Sequence, residues 1–266
     1  MTSHFMGRYC FVAGLHRSGT SLLHGLIAQH EKISSIENSP APENEGCYLQ
    51  GAIPHTAMHG RPGHYATDPA QHLVEECRFD NLATQQRLAS DWDKWFQRGG
   101  SWRVEKSPVN LTRMRLYQQL FPMSQFVVIL RHPSMVAAAH AKWVDASHSE
   151  LVDYTLDAYE QFVGDLPYLH CVLVIRYEDL VQHAADHLCA IDTFCGLEPQ
   201  PRETDLRNGN SRYGDAQAMD ARQEERADRW GYSGNSDCAH WSPIVAHPLR
   251  TVREKCAELI TGKIKQ

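Results

Sequence analysis

The sequence predicts an α/β fold, a P-loop-like three-layer sandwich with a central parallel sheet. Short apolar runs alternate along the chain with segments in which apolar residues recur at helical spacing, and this alternation is typical of a parallel sheet covered by helices on both faces. The apolar runs contain few polar residues, as expected of strands that are buried on both sides. The 266 residues, 42% of them hydrophobic, are enough to form one domain around a sizeable core.

Four strands are predicted where β-branched and other apolar residues cluster. They are Tyr9 to Ala13, Trp102 to Glu105, Gln125 to Leu130 and Cys171 to Ile175. A helix is predicted after the first strand, because leucine and isoleucine recur at helical spacing between residues 22 and 27. Four further helical patterns follow: Thr112 to Phe121, Ser134 to Trp143, Glu150 to Leu166 and Asp179 to Cys195.

Composition and charge argue against a nucleic acid as binding partner and against a membrane-spanning segment. The formal net charge of -6 and the sequence pI near 6.2 give no global reason to expect a nucleic acid, so any anion site must be local. No apolar run approaches the ~20 residues of a membrane span, and the first residues lack the layout of a signal peptide, which predicts a soluble, cytoplasmic protein. The eight cysteines show no Cys-x-x-Cys spacing, and Cys10 and Cys171, within apolar runs, are expected to be buried reduced thiols.

The segment from Gly14 to Ser21, called here the Gly14–Ser21 turn, carries the clearest functional signal. It reads Gly-Leu-His-Arg-Ser-Gly-Thr-Ser and lies between the first predicted strand and the first predicted helix. Backbone N–H groups at a helix N-terminus, free of side-chain bulk at two glycines, can wrap an anion. A nucleotide triphosphatase would carry a lysine directly after the second glycine, where Thr20 stands, and the cation is instead Arg17 within the turn. The alternative is a tight strand-to-helix turn that binds no ligand. The four polar side chains of the turn argue against it: Arg17, Ser18, Thr20 and Ser21.

The turn resembles the 5′-phosphosulfate loop of the sulfotransferase superfamily, which commonly reads His-Arg-Ser-Gly-Thr-Ser, as His16 to Ser21 do here. Two later pieces resemble the same family in order and spacing: Arg131-His132-Pro133 after the third strand, and the Arg-Tyr-Glu-Asp-Leu sequence from Arg176 to Leu180 after the fourth. The motif style is similar to that of bacterial carbohydrate and tyrosyl-protein sulfotransferases. The resemblance implies transfer of a sulfuryl group from 3′-phosphoadenosine-5′-phosphosulfate (PAPS) to a hydroxyl of a sugar, lipid, peptide tyrosine or small molecule.

The resemblance also implies a set of residues that bind the nucleotide. That set is His16, Arg17, Ser18, Gly19, Thr20, Ser21, Arg131, Tyr177, Ser211 and Arg212. Arg131 matches the arginine that binds the 3′-phosphate in the family, and it ends a predicted strand at the crevice where open α/β sheets bind ligands. The family has a serine eight positions later, where this chain has Ala139. His140, Ser134 or the backbone are therefore left to replace that hydroxyl.

Arg17, Lys106 and one glutamate are the candidate catalytic residues. In-line transfer of an electron-poor group requires stabilisation of charge on the bridging oxygen, and Arg17 lies in the turn that would hold that oxygen. Lys106 matches the family position whose lysine bonds the leaving oxygen or the transferring group. The acceptor hydroxyl must lose a proton. The resemblance points to a glutamate after the first helix, where Glu37, Glu43 and Glu45 stand, and Glu45 is the favoured base.

The chain is predicted to form a single domain, residues 1 to 266, with three parts. Residues 8 to 196 form the core, and residues 246 to 262 form a C-terminal helix. Residues 197 to 245 are polar and irregular, and we expect them to cover the nucleotide or the acceptor. Within them, residues 208 to 214 resemble the nucleotide-covering region of the family, for which an ordinary polar loop is the alternative.

A metal site is not expected. His55, His59 and His64 cluster in a long proline-, glycine- and histidine-rich loop, residues 39 to 69, but a zinc site would need a fourth ligand of compatible geometry. The reaction implied by the resemblance requires no metal.

The acceptor site is the least defined part of the prediction. Trp92, Trp95, Trp102 and the histidine-rich loop are candidates to line a site for a sugar, a lipid or a peptide. The sequence favours none of these acceptors and predicts no oligomeric state.

Two other functions compete with sulfuryl transfer. A P-loop small-molecule kinase that uses ATP and magnesium would share the strand, turn and helix, but it should carry the missing lysine and an acidic magnesium ligand. A catalytically inactive nucleotide-binding relative is suggested by Ala139 alone. The arginines and the lysine of the candidate site argue against loss of activity.

Overall fold

The computed structural model of the chain describes residues 8–54, 63–97 and 99–262. Its strands are β1 (Arg8–Ala13), β2 (Ile33–Ser35), β3 (Trp102–Lys106), β4 (Gln125–Leu130), β5 (Val172–Arg176), β6 (Tyr232–Ser233), β7 (Asp237–Cys238) and β8 (Ile244–Ala246). Within the described residues, six of these strands form one sheet in the order β2-β3-β1-β4-β5-β8, and β6 pairs with β7 in a separate hairpin.

The sheet is parallel from β2 to β5 and ends in an antiparallel edge strand. β1 pairs with β3 on one side and with β4 on the other, so that Val12 lies opposite both Lys106 and Val127. β8 runs antiparallel to β5, with Leu173 opposite Val245. The predicted central parallel sheet is confirmed. The short strands β2 and β8 were not predicted, because three residues are too few to show a periodic pattern.

Helices precede and follow the strands along the chain. They are α1 (Thr20–Ala28), α2 (Leu82–Asp93), α3 (Met114–Leu120), α4 (Pro133–His140), α5 (His148–Asp165), α6 (Tyr177–Gln182), α7 (Ala184–Phe194), α8 (Ala221–Asp228) and α9 (Arg250–Thr261). The single helix predicted from Asp179 to Cys195 is wrong: the chain forms α6 and α7, because His183 between them has a non-helical backbone (φ −132°, ψ 50°). The helix predicted to reach Trp143 ends at His140.

Side chains of β1 alternate between two core layers. Tyr9 and Phe11 point to one layer, which α2, α3 and α5 cover. Cys10 and Val12 point to the other, which α1, α7 and α9 cover. Helices therefore pack on both faces of the sheet, and the predicted α/β sandwich is confirmed. Cys10 and Cys171 are buried, free thiols within this core.

Two of the three tryptophans predicted to line an acceptor site belong to the core instead. Trp92 is fully buried, with its ring 5.9 Å from that of Tyr9, and its Nε1 donates a 2.9 Å hydrogen bond to the Gly46 carbonyl oxygen. Trp102 is buried in β3. These side chains fill the interior, so they are not available to an acceptor, whereas Trp95 is partly buried and packs against the core.

Parallel pairing brings the carboxyl ends of four strands to one edge of the sheet. β1 leads into the Gly14–Ser21 turn, β3 ends at Lys106, β4 leads into Arg131 and β5 leads into Tyr177. Open α/β sheets bind their ligands in the crevice at this edge. The fold therefore collects the candidate residues of four separate segments in one place.

Candidate active site

The glycines of the Gly14–Ser21 turn are required by close approaches. A Cβ on Gly14 would lie 2.5 Å from the carbonyl oxygen of Ile129. Gly19 has φ 106°, a left-handed conformation, and a Cβ there would lie 2.6 Å from Cδ2 of Tyr177. Only glycine allows the backbone of the turn to pass this close to β4 and to the Tyr177 ring.

The polar side chains of the turn have different environments. Ser18 is buried and its Oγ donates to the Leu15 carbonyl oxygen at 2.7 Å, so this hydroxyl stabilises the turn itself. Arg17 also has a left-handed backbone, with φ 66°, and its guanidinium carbon lies 4.7 Å from the ring centroid of Trp143. Ser21 begins the exposed side of α1 and donates its hydroxyl hydrogen bond to Glu43 Oε2.

Two histidines, His16 within the turn and His140 at the end of α4, are neutral at pH 7. His16 packs edge-on against Tyr65 at 5.3 Å between ring centroids and lies 6.3 Å from His140. Burial, followed by the charges of His140 and Lys106, lowers the pKa of His16 to about 3, and burial next to Arg17 lowers that of His140 to about 4. Neither ring nitrogen of His140 has a hydrogen-bond partner among the described residues.

A lysine and two glutamates meet beside the turn. Lys106 Nζ donates to Glu45 Oε1 at 2.9 Å and to Glu43 Oε2 at 3.2 Å. The side chains of Lys106 and Glu45 are 1% and 9% exposed, whereas that of Glu43 is 58% exposed. Glu43 therefore lies at the surface of the cluster, and Lys106 and Glu45 form its buried part.

The two glutamates differ in basicity. Burial raises the pKa of Glu45 to about 7, although the charge and hydrogen bond of Lys106 oppose this shift. The Ser21 hydrogen bond lowers the pKa of Glu43. At neutral pH Glu43 is thus an anion, while Glu45 is close to the midpoint of its titration. Glu37, the third candidate, instead accepts a 3.1 Å hydrogen bond from Ser35.

A buried carboxylate that the sequence analysis did not single out holds the glutamate segment in place. Glu105 accepts hydrogen bonds from the Gly46 N–H at 2.9 Å and from Asn110 Nδ2 at 2.7 Å, and the Cys47 N–H donates to Ser107 Oγ at 3.0 Å. The segment that carries Glu43 and Glu45 is thereby fixed against the carboxyl end of β3. The signal for this role is the position of Glu105 directly before Lys106.

Arg131 lies on the other side of the Gly14–Ser21 turn from Lys106, because β4 and β3 flank β1 in the sheet. Its guanidinium carbon lies 4.4 Å from the centroid of the Tyr177 ring. Its Nη1 donates to the Arg17 carbonyl oxygen at 2.6 Å and its Nε to Asn210 Oδ1 at 2.8 Å. Its Nη2 is buried and has no hydrogen-bond partner among the described residues. Ala139, eight positions later, is fully buried.

The segment that resembles a nucleotide-covering region lies against Arg131 and Tyr177. The Gly209 N–H donates to the Tyr177 hydroxyl at 2.7 Å. Ser211 donates its hydroxyl hydrogen bond to Asn208 within the same turn and is exposed, as is Arg212. The contacts to the site therefore come from Gly209, Asn210 and Tyr213, rather than from the two residues that the sequence analysis selected.

These groups surround a cleft of about 250 Å³ at the carboxyl edge of the sheet. The cleft is lined by His16, Arg17, Gly19, Thr20, Ser21, Leu22, Glu43, Glu45, Pro108, Arg131, Trp143 and Tyr177. The structure thus brings most of the predicted site residues together, and it adds Leu22, Pro108 and Trp143. Trp143 was missed because it follows the last turn of α4 and enters the cleft only through tertiary folding.

Residues 8–54, 63–97 and 99–262 were searched for metal-binding groups and for membrane-spanning helices. No group of three or more His, Cys, Asp or Glu side chains in these ranges is arranged to hold a metal ion. His55 and His59, from the histidine cluster considered above, lie outside the described residues. No helix in these ranges combines the length and the apolar character needed to cross a membrane.

Comparison with known proteins identifies the family of the chain. Solved structures that are similar to the chain include the sulfotransferase domain from the curacin biosynthetic pathway, with 17% identity, a TM-score of 0.47 and coverage of 96% of this chain and 98% of that one. They also include the sulfotransferase domain of the Synechococcus PCC 7002 olefin synthase (18% identity, TM-score 0.45, coverage 100% and 98%) and a sulfotransferase from Alicyclobacillus acidocaldarius (17% identity, TM-score 0.48, coverage 81% and 87%). No curated protein sequence matches the chain. The family model described as "Sulfotransferase family" matches residues 10–201, more than half of the chain, and the chain therefore belongs to the sulfotransferase family.

Proposed function

We propose that this sulfotransferase takes its sulfuryl group from PAPS and transfers it to a hydroxyl-bearing acceptor. One observation carries the proposal: the Gly14–Ser21 turn, Arg131 and Glu45 line one cleft, and Lys106 donates a hydrogen bond to Glu45 from beside it. They supply, within one site, an anion-binding turn, a second cation and a lysine next to a carboxylate that titrates near neutral pH.

The cleft suits the two anionic ends of PAPS. At the turn, the backbone N–H groups at the start of α1 and the Arg17 guanidinium are available to a phosphosulfate, and Gly14 and Gly19 leave no room for any side chain there. At the other end, Arg131 holds a buried Nη2 that has no partner in the described part of the chain. A buried donor without an acceptor is unfavourable unless a ligand supplies one. A 3′-phosphate would supply that acceptor.

In the proposed reaction, the acceptor oxygen forms a bond to sulfur while the bond from sulfur to the 5′-phosphate oxygen breaks. The products are a sulfate ester and adenosine 3′,5′-bisphosphate. Arg17 and Lys106 would stabilise the negative charge that develops on the leaving oxygen. The proton of the acceptor hydroxyl would pass to Glu45, whose pKa of about 7 is suited to a general base at neutral pH.

Glu43 is the competing base, because it lines the same cleft. Its carboxylate accepts hydrogen bonds from Ser21 and Lys106, and its pKa is lowered, chiefly by the Ser21 hydroxyl. A carboxylate that is stabilised as an anion is a weaker proton acceptor than Glu45. This difference is our reason for assigning the base to Glu45.

We propose that the acceptor enters past Trp143. The side chain of Trp143 is 52% exposed, lines the cleft and has the Arg17 guanidinium against its ring. An exposed indole at the entrance can stack on a sugar or an aromatic ring or pack on an aliphatic chain. The proposed acceptors remain the hydroxyl groups of sugars, lipids, tyrosyl peptides and small molecules.

Calorimetric titration with adenosine 3′,5′-bisphosphate and, separately, with ATP and magnesium tests the donor assignment. We expect tight binding of the bisphosphate and weak or no binding of ATP. Preference for ATP with magnesium would overturn the proposal in favour of a kinase, a reading that Thr20 after Gly19 disfavours. Absence of binding to either nucleotide would also overturn it.

A further inference from the structure

Three cationic side chains converge on the ring of Tyr213. The Arg131 guanidinium carbon lies 5.8 Å from the ring centroid, and Lys142 Nζ lies 5.1 Å from it. Burial raises the pKa of the Tyr213 hydroxyl, but a hydrogen bond from Arg17 and the charges of Arg17, Lys142 and Arg131 outweigh burial, so that this pKa lies below its ordinary value. The lowered pKa is consistent with a strongly positive environment.

The positive charge is only partly neutralised by the protein. Glu178 is a carboxylate whose charge acts on Arg131, but its oxygens already accept other hydrogen bonds. Oε1 accepts from the His132 N–H at 3.1 Å and from Asn210 Nδ2 at 3.0 Å, and Oε2 accepts from the Tyr232 hydroxyl at 3.1 Å. Glu43 is a second carboxylate, whose pKa the charge of Arg17 helps to lower. Two carboxylates beside three cations still leave a local excess of positive charge, which attracts an anion even in a chain with a net negative charge.

The orientation of Arg131 gives a second, independent indication of an anion. Its side chain lies against Tyr177 and is fixed by the hydrogen bonds to Arg17 and Asn210. The residue is 6% exposed, and its Nη2 is buried without a partner among the described residues. An unpaired buried guanidinium N–H is costly, so a fixed donor of this kind is typical of a position that a ligand completes.

Lys142 follows Ala139, which stands where the family has a serine, by about one helical turn. α4 ends at His140, but the chain continues in a tight turn in which the Trp143 N–H donates to the His140 carbonyl oxygen at 2.8 Å. Residues three apart in such a turn lie on the same side, so Lys142 follows Ala139 on one side of the chain. Ala139 itself is buried and offers no polar side-chain atom.

We propose that Lys142 is a nucleotide-binding residue that contacts the 3′-phosphate together with Arg131. The proposal rests on the PAPS-dependent function proposed above and assigns a specific ligand in that site. Where Ala139 lacks a hydroxyl, the Lys142 ammonium supplies a charge and up to three N–H donors at the end of a flexible stem. The phosphate would bind between Lys142 and the free Nη2 of Arg131, next to Tyr213.

The test compares two nucleotides that differ only in the 3′-phosphate: adenosine 3′,5′-bisphosphate and adenosine 5′-phosphate. Calorimetry on the full chain gives both dissociation constants for wild type, Lys142→Gln and Lys142→Arg. Because a hydrogen bond to a charged group is lost, we expect Lys142→Gln to weaken bisphosphate binding about tenfold. Binding of the monophosphate should be unchanged, and Lys142→Arg should retain the preference for the bisphosphate.

Lys255→Gln is the matched control, since it removes the same charge from α9, where Lys255 lies 3.7 Å from Glu258. It should leave both dissociation constants unchanged. If wild type prefers the bisphosphate and Lys142→Gln keeps that preference in full, the Lys142 assignment is wrong while the proposed function stands. If wild type shows no preference for the 3′-phosphate, both proposals are overturned.

Discussion

Lys106 Nζ donates a 2.9 Å hydrogen bond to Glu45 Oε1 between two side chains that are nearly removed from solvent. Lys106 ends β3, and Glu45 belongs to the segment that Glu105 holds against the same strand through the Gly46 N–H. The fold therefore fixes a cation and a proton acceptor side by side at the cleft. A base held in this way should act in the chemical step and contribute little to donor binding.

Glu45→Gln should lower the turnover by ~10²–10⁴ and leave the affinity for adenosine 3′,5′-bisphosphate nearly unchanged. The amide keeps the size of the side chain but cannot accept the proton of the acceptor hydroxyl. Single-turnover transfer rates and calorimetric titration of the same protein samples measure the two effects separately.

Glu43→Gln and Glu37→Gln are the matched comparisons for this variant. Glu37 bonds to Ser35 and does not line the cleft, so its variant should keep normal turnover. If Glu45→Gln stays active while Glu43→Gln loses activity, the base is Glu43. If all three variants stay active, the base lies outside this segment, and the histidines next to the cleft become the candidates.

The pH dependence of the rate should report the titration of Glu45. A general base acts only when it is deprotonated, and burial raises the pKa of Glu45 to about 7. We therefore expect kcat/KM to fall about tenfold per pH unit below that value and to level off above it. The acidic limb should disappear from the residual rate of Glu45→Gln. An acidic limb that lies below the ordinary titration range of a glutamate would point instead to Glu43, whose pKa is lowered.

Arg17→Ala should lower the transfer rate by ~10²–10³, because loss of one preorganised charge donor has effects of this size. Arg78→Ala is the matched control: Arg78 also lies against an aromatic ring, 4.6 Å from the centroid of Phe79, but does not line the cleft. Rates at saturating donor and acceptor provide the comparison. Wild-type turnover in Arg17→Ala would remove the assignment of the Gly14–Ser21 turn to the phosphosulfate.

Arg131→Ala should weaken binding of adenosine 3′,5′-bisphosphate far more than binding of adenosine 5′-phosphosulfate, which lacks the 3′-phosphate. The reason is the free Nη2 of Arg131, which has no acceptor within the described residues. Arg131 also donates to the Arg17 carbonyl oxygen, so a small loss for both ligands is expected. Equal, large losses in a calorimetric comparison would mean that Arg131 only supports the fold of the turn.

The parts of the fold that the sequence predicts are those with a clear apolar pattern. β4 and β5 are buried throughout and β1 is buried from Tyr9 onward, and the predicted and observed strands agree closely. Helix α2 was missed because two of its four buried positions are the polar residues Thr84 and Asp91, which hide the apolar stripe. Asp91 is tolerated there because it accepts a hydrogen bond from the Gly51 N–H and forms ion pairs with Arg87 in its own helix and with Lys94 directly after it.

Some residues of the candidate site could likewise be predicted from the sequence, and others could not. Residues that follow strands, such as Arg131 and Tyr177, could be predicted, because parallel pairing brings all carboxyl ends to one edge. Trp143 and Asn210 could not, since each reaches the site from a turn whose path depends on tertiary packing. The same limit explains why Trp92, a core residue, was among the candidates for an acceptor site.

Gly19→Ala should destabilise the protein and weaken nucleotide binding, whereas Gly25→Ala should do neither. At Gly19 the new Cβ would lie 2.6 Å from the ring of Tyr177, on a backbone with φ 106°. That ring cannot easily move, because its hydroxyl accepts a hydrogen bond from the Gly209 N–H and its face carries the Arg131 guanidinium. Strain of this kind costs about 1–3 kcal/mol.

Gly25, in contrast, lies in α1, and no atom of residues 8–54, 63–97 or 99–262 outside its own helix backbone and chain neighbours comes within 4 Å of an added Cβ. Alanine is favoured over glycine in a helix interior by about 1 kcal/mol, so Gly25→Ala should be neutral or stabilising. Denaturant unfolding gives the two free energies, and calorimetry with adenosine 3′,5′-bisphosphate gives the affinities. Equal stability and equal affinity in the two variants would mean that the Gly14–Ser21 turn does not depend on the close approach of its backbone to Tyr177, and the argument for a rigid anion-binding turn would lose its structural basis.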